Sequence, residues 1–142
     1  MLRTKDLFDL SHTPANEYLA KYEYPWQALA GIKELIISLG KNLDMNEYEL
    51  RGENIFVHKT AVVAPTAFIG APCIIGKNTE IRHCAFIRGS ALIGENCVVG
   101  NSTELKNVIL FDKDNRIVDA LRRVDSEKSS YRLVLPGAQY KL

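Results

Sequence analysis

Apolar residues recur every six positions through the centre of the chain. When each hexad is numbered from its aliphatic residue, position 1 is filled nine times in succession: Val57, Val63, Ile69, Ile75, Ile81, Ile87, Ile93, Val99 and Leu105. Position 5 is filled by small residues: Ala61, Ala67, Cys73, Thr79, Ala85, Ala91, Cys97 and Thr103. Neither the 3.6-residue period of a helix nor the alternation of an ordinary strand gives this spacing. A six-residue repeat of short strands and turns is typical of a parallel β-helix.

The repeat predicts where each hexad position points. Each hexad forms one wall of a three-sided prism, so three hexads complete a coil, and successive coils stack about 4.8 Å apart. Position 1 then points into the prism and is buried by its counterparts above and below. Glycine follows the aliphatic residue four times, at Gly70, Gly76, Gly94 and Gly100. We expect these glycines to supply the positive φ that a tight bend requires.

The chain before the repeat has the pattern of helices. Thr13 and Pro14 form a cap and first position for a short helix that runs through Leu19. Pro25 begins a longer helix with apolar residues at three- and four-residue spacing, which Gly40 can end. Because a β-helix has an open end with unpaired strand edges, we expect these helices to cap that end.

The chain changes character after the repeat. Phe111 and Ile117 keep the six-residue phase, but Arg123 would point a charge into the prism, so the β-helix should end between Leu110 and Ile117. A helix from Asp114 and a short strand near the C-terminus are expected beyond it. The predicted fold is therefore mainly β. It has an N-terminal helical cap (1–50), a β-helix of about three coils (51–112) and a C-terminal tail of helix and strand (113–142).

Composition narrows the function classes. The chain has 142 residues with 18 basic and 17 acidic side chains, and no basic stripe predicts nucleic-acid binding. No stretch approaches the roughly 20 apolar residues of a membrane span, and none has the pattern of a signal peptide. We expect a cytoplasmic protein. Cys73 and Cys97 stand at position 5 and are expected to be buried free thiols. No clustering of histidine and cysteine predicts a metal site.

The hexads resemble the left-handed β-helix of acyltransferases and sugar nucleotidyltransferases. The segment Ile81–Leu110, IRHCAFIRGSALIGENCVVGNSTELKNVIL, is similar to the acetyltransferase half of the bifunctional enzymes that make UDP-N-acetylglucosamine. The chain from Thr13 to Phe111 is closer to a shorter group, the UDP-N-acetylglucosamine pyrophosphorylase-like proteins. The resemblance implies left-handed coils, a homotrimer, a sugar phosphate or nucleotide sugar as ligand, and acetyl-CoA as a possible acyl donor.

The same resemblance implies a substrate site. In the bifunctional family an arginine and a lysine one coil later hold the sugar phosphate, and Arg88 and Lys106 match them. Their 18-residue spacing stacks them on one wall, where two cations suit a phosphate. Asn101 and Glu104 match the same element and could position the cations or substrate hydroxyls. The alternative is that Arg88 and Lys106 are solvated surface charges and that Asn101 and Glu104 are loop polar groups that satisfy a turn.

The catalytic base of that family has no counterpart in this chain. Its His-x-x-Tyr element would begin at Val118, with Leu121 at the tyrosine position, and neither side chain can accept a proton. His83 could act as a substitute general base. The alternative is that it is a surface or stacking histidine. Two functions therefore stay open. One is a transferase of amino-sugar nucleotide metabolism, and the other is a non-catalytic sugar-phosphate-binding or oligomerisation module.

Overall fold

The computed structural model describes residues 2–113, which form a parallel β-helix of about three coils preceded by short helices. The helical segments are α1 (Thr4–Leu7), a 3-10 turn (Leu10–His12), α2 (Asn16–Leu19), a 3-10 helix (Pro25–Gly31) and α3 (Ile32–Gly40). The strands are β1 (Tyr48–Gly52), β2 (Ile55–His58), β3 (Val62–Val63), β4 (Phe68–Ile69), β5 (Cys73–Ile75), β6 (Glu80–Ile81), β7 (Phe86–Ile87), β8 (Ala91–Ile93), β9 (Val98–Val99), β10 (Glu104–Leu105) and β11 (Val108–Leu110). The mainly β fold is confirmed, while the expected C-terminal helix and strand lie outside the described residues.

The strands form the three walls that the hexads predict. Wall A contains β1, β2, β5, β8 and β11, wall B contains β3, β6 and β9, and wall C contains β4, β7 and β10. Parallel partners on the first coils are 18 residues apart, as in Ile75 opposite Ile93. Position 1 points inwards, and Val57, Ile75 and Ile87 are fully buried in the prism. The parallel β-helix predicted from the six-residue period is confirmed.

Three of the four glycines at position 2 serve close stacking, and none of the four supplies positive φ. Positive φ occurs at position 4 instead, in Asn78, Cys84, Ser90, Asn96 and Ser102. A Cβ on Gly76 would lie 2.6 Å from the carbonyl of Gly94 on the next coil, so a side chain there would collide with backbone. The expectation about backbone conformation was therefore wrong. Short polar residues, which tolerate the left-handed region, make the bends.

The last coil is one residue shorter than the others. Leu110 pairs with Ile93, which is 17 residues earlier, because the corner between Leu105 and Val108 holds two residues where earlier corners hold three. Leu110 therefore points into the prism and is buried, and Phe111 does not. Phe111 packs on the helical side of the molecule against Phe8, with ring centroids 5.1 Å apart. The six-residue phase predicted for Phe111 was wrong for this reason.

The helices cover the outer face of wall A. The sequence analysis had instead predicted that they would cap the open end of the prism. Ile74 and Leu92 stand at position 6, point outwards and are 3% and 0% exposed, because α3 packs over them through Ile32 and Ile36. The edge of wall A is covered separately by β1, which pairs antiparallel with β2. Within residues 2–113, β3 and β4 have no such partner on their outer edges.

The two predicted helices form with shifted boundaries. The first begins at Asn16, and the Thr13 hydroxyl accepts a hydrogen bond from the Ala15 amide just before it. The second is divided at Gly31 into a 3-10 helix and α3. A Cβ on Gly31 would lie 2.5 Å from the hydroxyl oxygen of Tyr18, which explains the glycine at the junction. None of the helices in residues 2–113 is long and apolar enough to cross a membrane.

Candidate functional site

Arg88 and Lys106 lie at the same corner of the prism, where wall C ends and wall A begins. Ile87 and Leu105 are Cα partners on adjacent strands, and the Arg88 amide donates to the Leu105 carbonyl at 2.8 Å. The residues that follow them therefore leave the wall side by side, on coils about 4.8 Å apart. Both cations are exposed. The structure thus brings the two predicted phosphate ligands to one corner.

Glu104 holds Arg88 from the next coil. Arg88 Nη1 donates to Glu104 Oε1 at 2.9 Å, and the two side chains are 45% and 56% exposed. An ion pair at this exposure contributes at most about 1 kcal/mol to stability. Its effect at the site is to orient the guanidinium along wall C. It also lowers the net positive charge that the corner presents to an anion.

The shorter last corner brings the helical layer close to the cations. Asn107, which follows Lys106, has φ 52° and donates from Nδ2 to the Leu29 carbonyl at 3.1 Å. This bond joins the corner to the 3-10 helix that lies against wall A. Sequence reasoning missed Asn107, because the hexads do not predict that this corner is one residue shorter than the earlier ones.

Asn101 and His83 lie at the other corner of wall C, between walls B and C. They stand 18 residues apart, and the Ser102 amide donates to the His83 carbonyl at 3.0 Å, so the two corner segments stack. Four residues lie between His83 and Arg88, and they include strand β7 of wall C, so the two residues stand at opposite ends of that wall. Arg88, Glu104 and Lys106 therefore form one candidate site, and Asn101 and His83 do not belong to it.

His83 has its own neighbours at that second corner. Its Nδ1 lies 2.7 Å from Thr66 Oγ1, and its Nε2 lies 3.2 Å from Cys84 Sγ. The Cys84 amide also donates to Thr66 Oγ1, at 3.1 Å. Sequence reasoning missed Thr66 and Cys84, although both stand at position 4, which the 18-residue coil places one above the other.

The outer face of wall C between these corners carries exposed aromatic side chains. Phe68 and Phe86 are 57% and 44% exposed, and their rings meet edge to face with centroids 5.4 Å apart. Glu104 occupies the same outward position on the third coil. The signal in the sequence was the residue before position 1, which is apolar on two of the three coils of wall C, at Phe68 and Phe86.

The three cysteines divide by hexad position. Cys73 and Cys97, at position 5, are buried as expected, and burial raises the pKa of each thiol to about 12. Cys84, at position 4, is exposed. Residues 2–113 contain no group of three or more histidine, cysteine, aspartate or glutamate side chains that could hold a metal ion.

Two cavities in the described part of the chain have linings that do not include the candidate cations. One, of about 260 Å³, opens at the first coil between residues such as Ile55, Val63 and Ile69. The other, of about 160 Å³, is apolar and lies between the helices and the last strand of wall A. Arg88 and Lys106 are both exposed side chains at the surface of the corner. Val118 and Leu121, which stand at the family's base and tyrosine positions, lie outside the described residues.

Comparison with known families gives one match. A model of the NFACT N-terminal and middle domains matches residues 105–142. The match begins in the last coil and includes only nine of the described residues, 105–113, so most of it falls where no geometry is described. No curated protein matches the chain. The resemblance to hexapeptide-repeat transferases therefore remains an interpretation of the hexads and of the Arg88 and Lys106 elements.

Proposed function

We propose that this chain binds a sugar phosphate, or the phosphate of a nucleotide sugar, through Arg88 and Lys106. The observation that carries the proposal is their common corner on adjacent coils, which follows from the pairing of Ile87 with Leu105. A guanidinium can donate two parallel hydrogen bonds to a phosphate, and a neighbouring ammonium adds a point charge. The resemblance to amino-sugar nucleotide transferases supports the choice of an amino-sugar phosphate as ligand.

Glu104 limits the affinity we expect from one chain. A phosphate that approaches the corner meets a guanidinium that already donates to a carboxylate at 2.9 Å. The phosphate must either share Arg88 or displace Glu104, and both options oppose binding electrostatically. Exposure of all three side chains weakens their interactions further through solvent screening. Binding in the millimolar to high micromolar range is therefore the expectation.

A second subunit would complete the corner, and we propose that the chain assembles as a homotrimer. Phe68 and Phe86 form an apolar strip beside Arg88 that the helices of this chain leave uncovered. A second copy packed on wall C would bury the strip and place a facing wall beside the cations. Aromatic side chains commonly supply the buried centre of such interfaces. This strip also favours the alternative function, that of an oligomerisation module.

We infer that the chain binds its ligand without transferring an acyl group. The support is the sequence, which has Val118 and Leu121 where the resembling family has its base and tyrosine. Loss of a general base commonly lowers a rate by about 10²–10⁴. Three free cysteines agree with a reducing compartment, so we place the protein in the cytoplasm.

Calorimetric titration with glucosamine-1-phosphate tests the binding proposal. The Arg88→Ala/Lys106→Ala double variant should weaken binding at least about tenfold, which corresponds to about 1.4 kcal/mol. Arg82→Ala is the matched control, because Arg82 also stands at position 2, is similarly exposed and pairs with Glu80. Equal affinity in the wild-type protein and the double variant would refute the site.

A coupled assay with acetyl-CoA and glucosamine-1-phosphate tests the inference of inactivity. We expect turnover at least about 10²-fold below that of an intact acetyltransferase, as expected for a missing general base. Turnover within tenfold of such an enzyme would refute it. His83→Ala would then show whether the histidine acts as the base.

A further inference from the structure

We propose that Cys84 is a nucleophilic thiol that His83 activates, and that it accepts an acyl group from a thioester. This site lies at the corner between walls B and C, apart from Arg88 and Lys106, and does not depend on phosphate binding. Its components come from two coils: Thr66 from the first, and His83 with Cys84 from the second.

The three side chains are arranged as a nucleophile (Cys84), a base (His83) and an orienting group (Thr66). Cys84 Sγ lies 3.2 Å from His83 Nε2, within the reach of a hydrogen bond to sulfur. His83 Nδ1 lies 2.7 Å from Thr66 Oγ1 on the other side of the ring. This arrangement is the structural signature of a side chain activated by an adjacent base.

Thr66 fixes both partners at once. Its hydroxyl oxygen accepts from the Cys84 amide at 3.1 Å, which uses one of its two lone pairs. The second lone pair is free to accept from His83 Nδ1–H. In that tautomer Nε2 carries no proton and faces the thiol, so it can take the thiol proton. Thr66 is thus a positioning residue that does not itself touch the reacting atoms.

The residue type at its turn distinguishes Cys84 from the other turn residues. Its φ of 56° is in the left-handed region, as at the equivalent positions of the second and third coils, which carry Asn78, Ser90, Asn96 and Ser102. Asparagine tolerates this region, and a short polar side chain can bond locally there. Cys84 is the one residue of this set with a nucleophilic thiol, and the turn directs it to solvent at the corner.

The chemistry available to this thiol is acyl exchange. The proton moves from Cys84 Sγ to His83 Nε2, the thiolate attacks the thioester carbonyl, and a new sulfur–carbon bond replaces the one that breaks. The departing thiolate takes the proton from His83, so atoms and electrons balance. Disulfide chemistry within the chain lacks a partner, because Cys73 and Cys97, the other cysteines of the sequence, are buried and their thiols have pKa values of about 12.

Intact-mass spectrometry of the full chain, incubated with S-acetyl-N-acetylcysteamine, tests the proposal. We expect one acetyl adduct, mapped to Cys84 and absent in Cys84→Ser. His83→Gln should slow its formation by about a hundredfold, the lower end of the range for loss of a general base. Thr66→Val should slow it as well, and Thr66→Ser should restore the rate because it keeps the hydroxyl.

Two controls separate this site from the phosphate site and from loss of structure. Excess glucosamine-1-phosphate should leave the acetylation rate of Cys84 unchanged, because that ligand is proposed to bind at the other corner of wall C. Each variant is compared by its thermal melt, and iodoacetamide labelling confirms that Cys84 stays accessible. An equal rate in His83→Gln, labelling by iodoacetamide without any acetyl adduct, or an adduct on Cys73 or Cys97 would each overturn the proposal.

Discussion

Walls A and C have the same inward face and different outward environments. Both place apolar residues at position 6, with Ile74 and Leu92 on wall A and Phe68 and Phe86 on wall C. The residues of wall A are buried under the helices, whereas those of wall C are about half exposed. Hydrophobicity at the outward position therefore does not by itself decide whether a wall is covered, since Val62 on wall B is also apolar and is 65% exposed. Whether the cover comes from the same chain or from another depends on where the helices lie.

The largest effect should come from the inward face, which every wall shares. Ile81 is 1% exposed and lies in the core of the prism. Ile81→Asp would bury a charge without a partner there and should abolish folding. Circular dichroism should show no cooperative melt, whereas Ile81→Val should keep one with a loss of about 0.5–1.5 kcal/mol. A melt of Ile81→Asp near the wild-type temperature would contradict the fold.

The outward faces should differ when each is truncated. Leu92→Ala on wall A removes a fully buried side chain beneath α3 and should cost about 2–5 kcal/mol. Phe86→Ala on wall C removes a side chain that is 44% exposed and should cost less than about 1.5 kcal/mol in the monomer, since less area leaves water on folding. Urea unfolding at low protein concentration measures both. Equal losses would show that wall C is covered as wall A is.

Close stacking of the coils predicts a difference between two glycines. Gly76→Ala places a Cβ 2.6 Å from the carbonyl of Gly94 and should cost about 1–3 kcal/mol through overpacking. The matched change Gly100→Ala meets only the Thr103 hydroxyl, at 3.4 Å, and should be close to neutral. Thermal melts of the two variants decide the point. A neutral Gly76→Ala would refute close stacking as the reason for this glycine.

Assembly through wall C predicts a change in mass without a change in fold. Phe86→Lys should shift the protein from trimer to monomer in sedimentation experiments, because a charge would replace apolar area at the interface. Val62→Lys is the control, since Val62 is 65% exposed on wall B. A wild-type protein that sediments as a monomer at high concentration would reject the trimer.

The smallest effect concerns the ion pair at the corner of wall C. Glu104→Gln removes the carboxylate that holds Arg88 Nη1 at 2.9 Å and should strengthen glucosamine-1-phosphate binding several-fold. Stability should change by less than about 1 kcal/mol, because the pair is exposed. Weaker binding in Glu104→Gln would instead mean that Glu104 contacts the sugar.

The sequence by itself determined the prism, because a parallel β-helix is the repeat structure in which an aliphatic residue at every sixth position points inwards. It also determined that Cys73 and Cys97 would be buried, since both occupy position 5. These features depend on contacts between equivalent positions of neighbouring coils, and the six-residue repeat shows which positions are equivalent.

Only the tertiary structure decided which outward faces are covered and which side chains meet at the corners. The helices can pack on any apolar wall that the hexads offer, and the sequence does not say which. The corner before Val108 is one residue shorter than the earlier corners. This difference changes the phase of Phe111 and brings Asn107 into contact with the helical layer. The contacts of His83 with Thr66 and Cys84 likewise depend on side-chain directions at a left-handed turn, which the six-residue period does not specify.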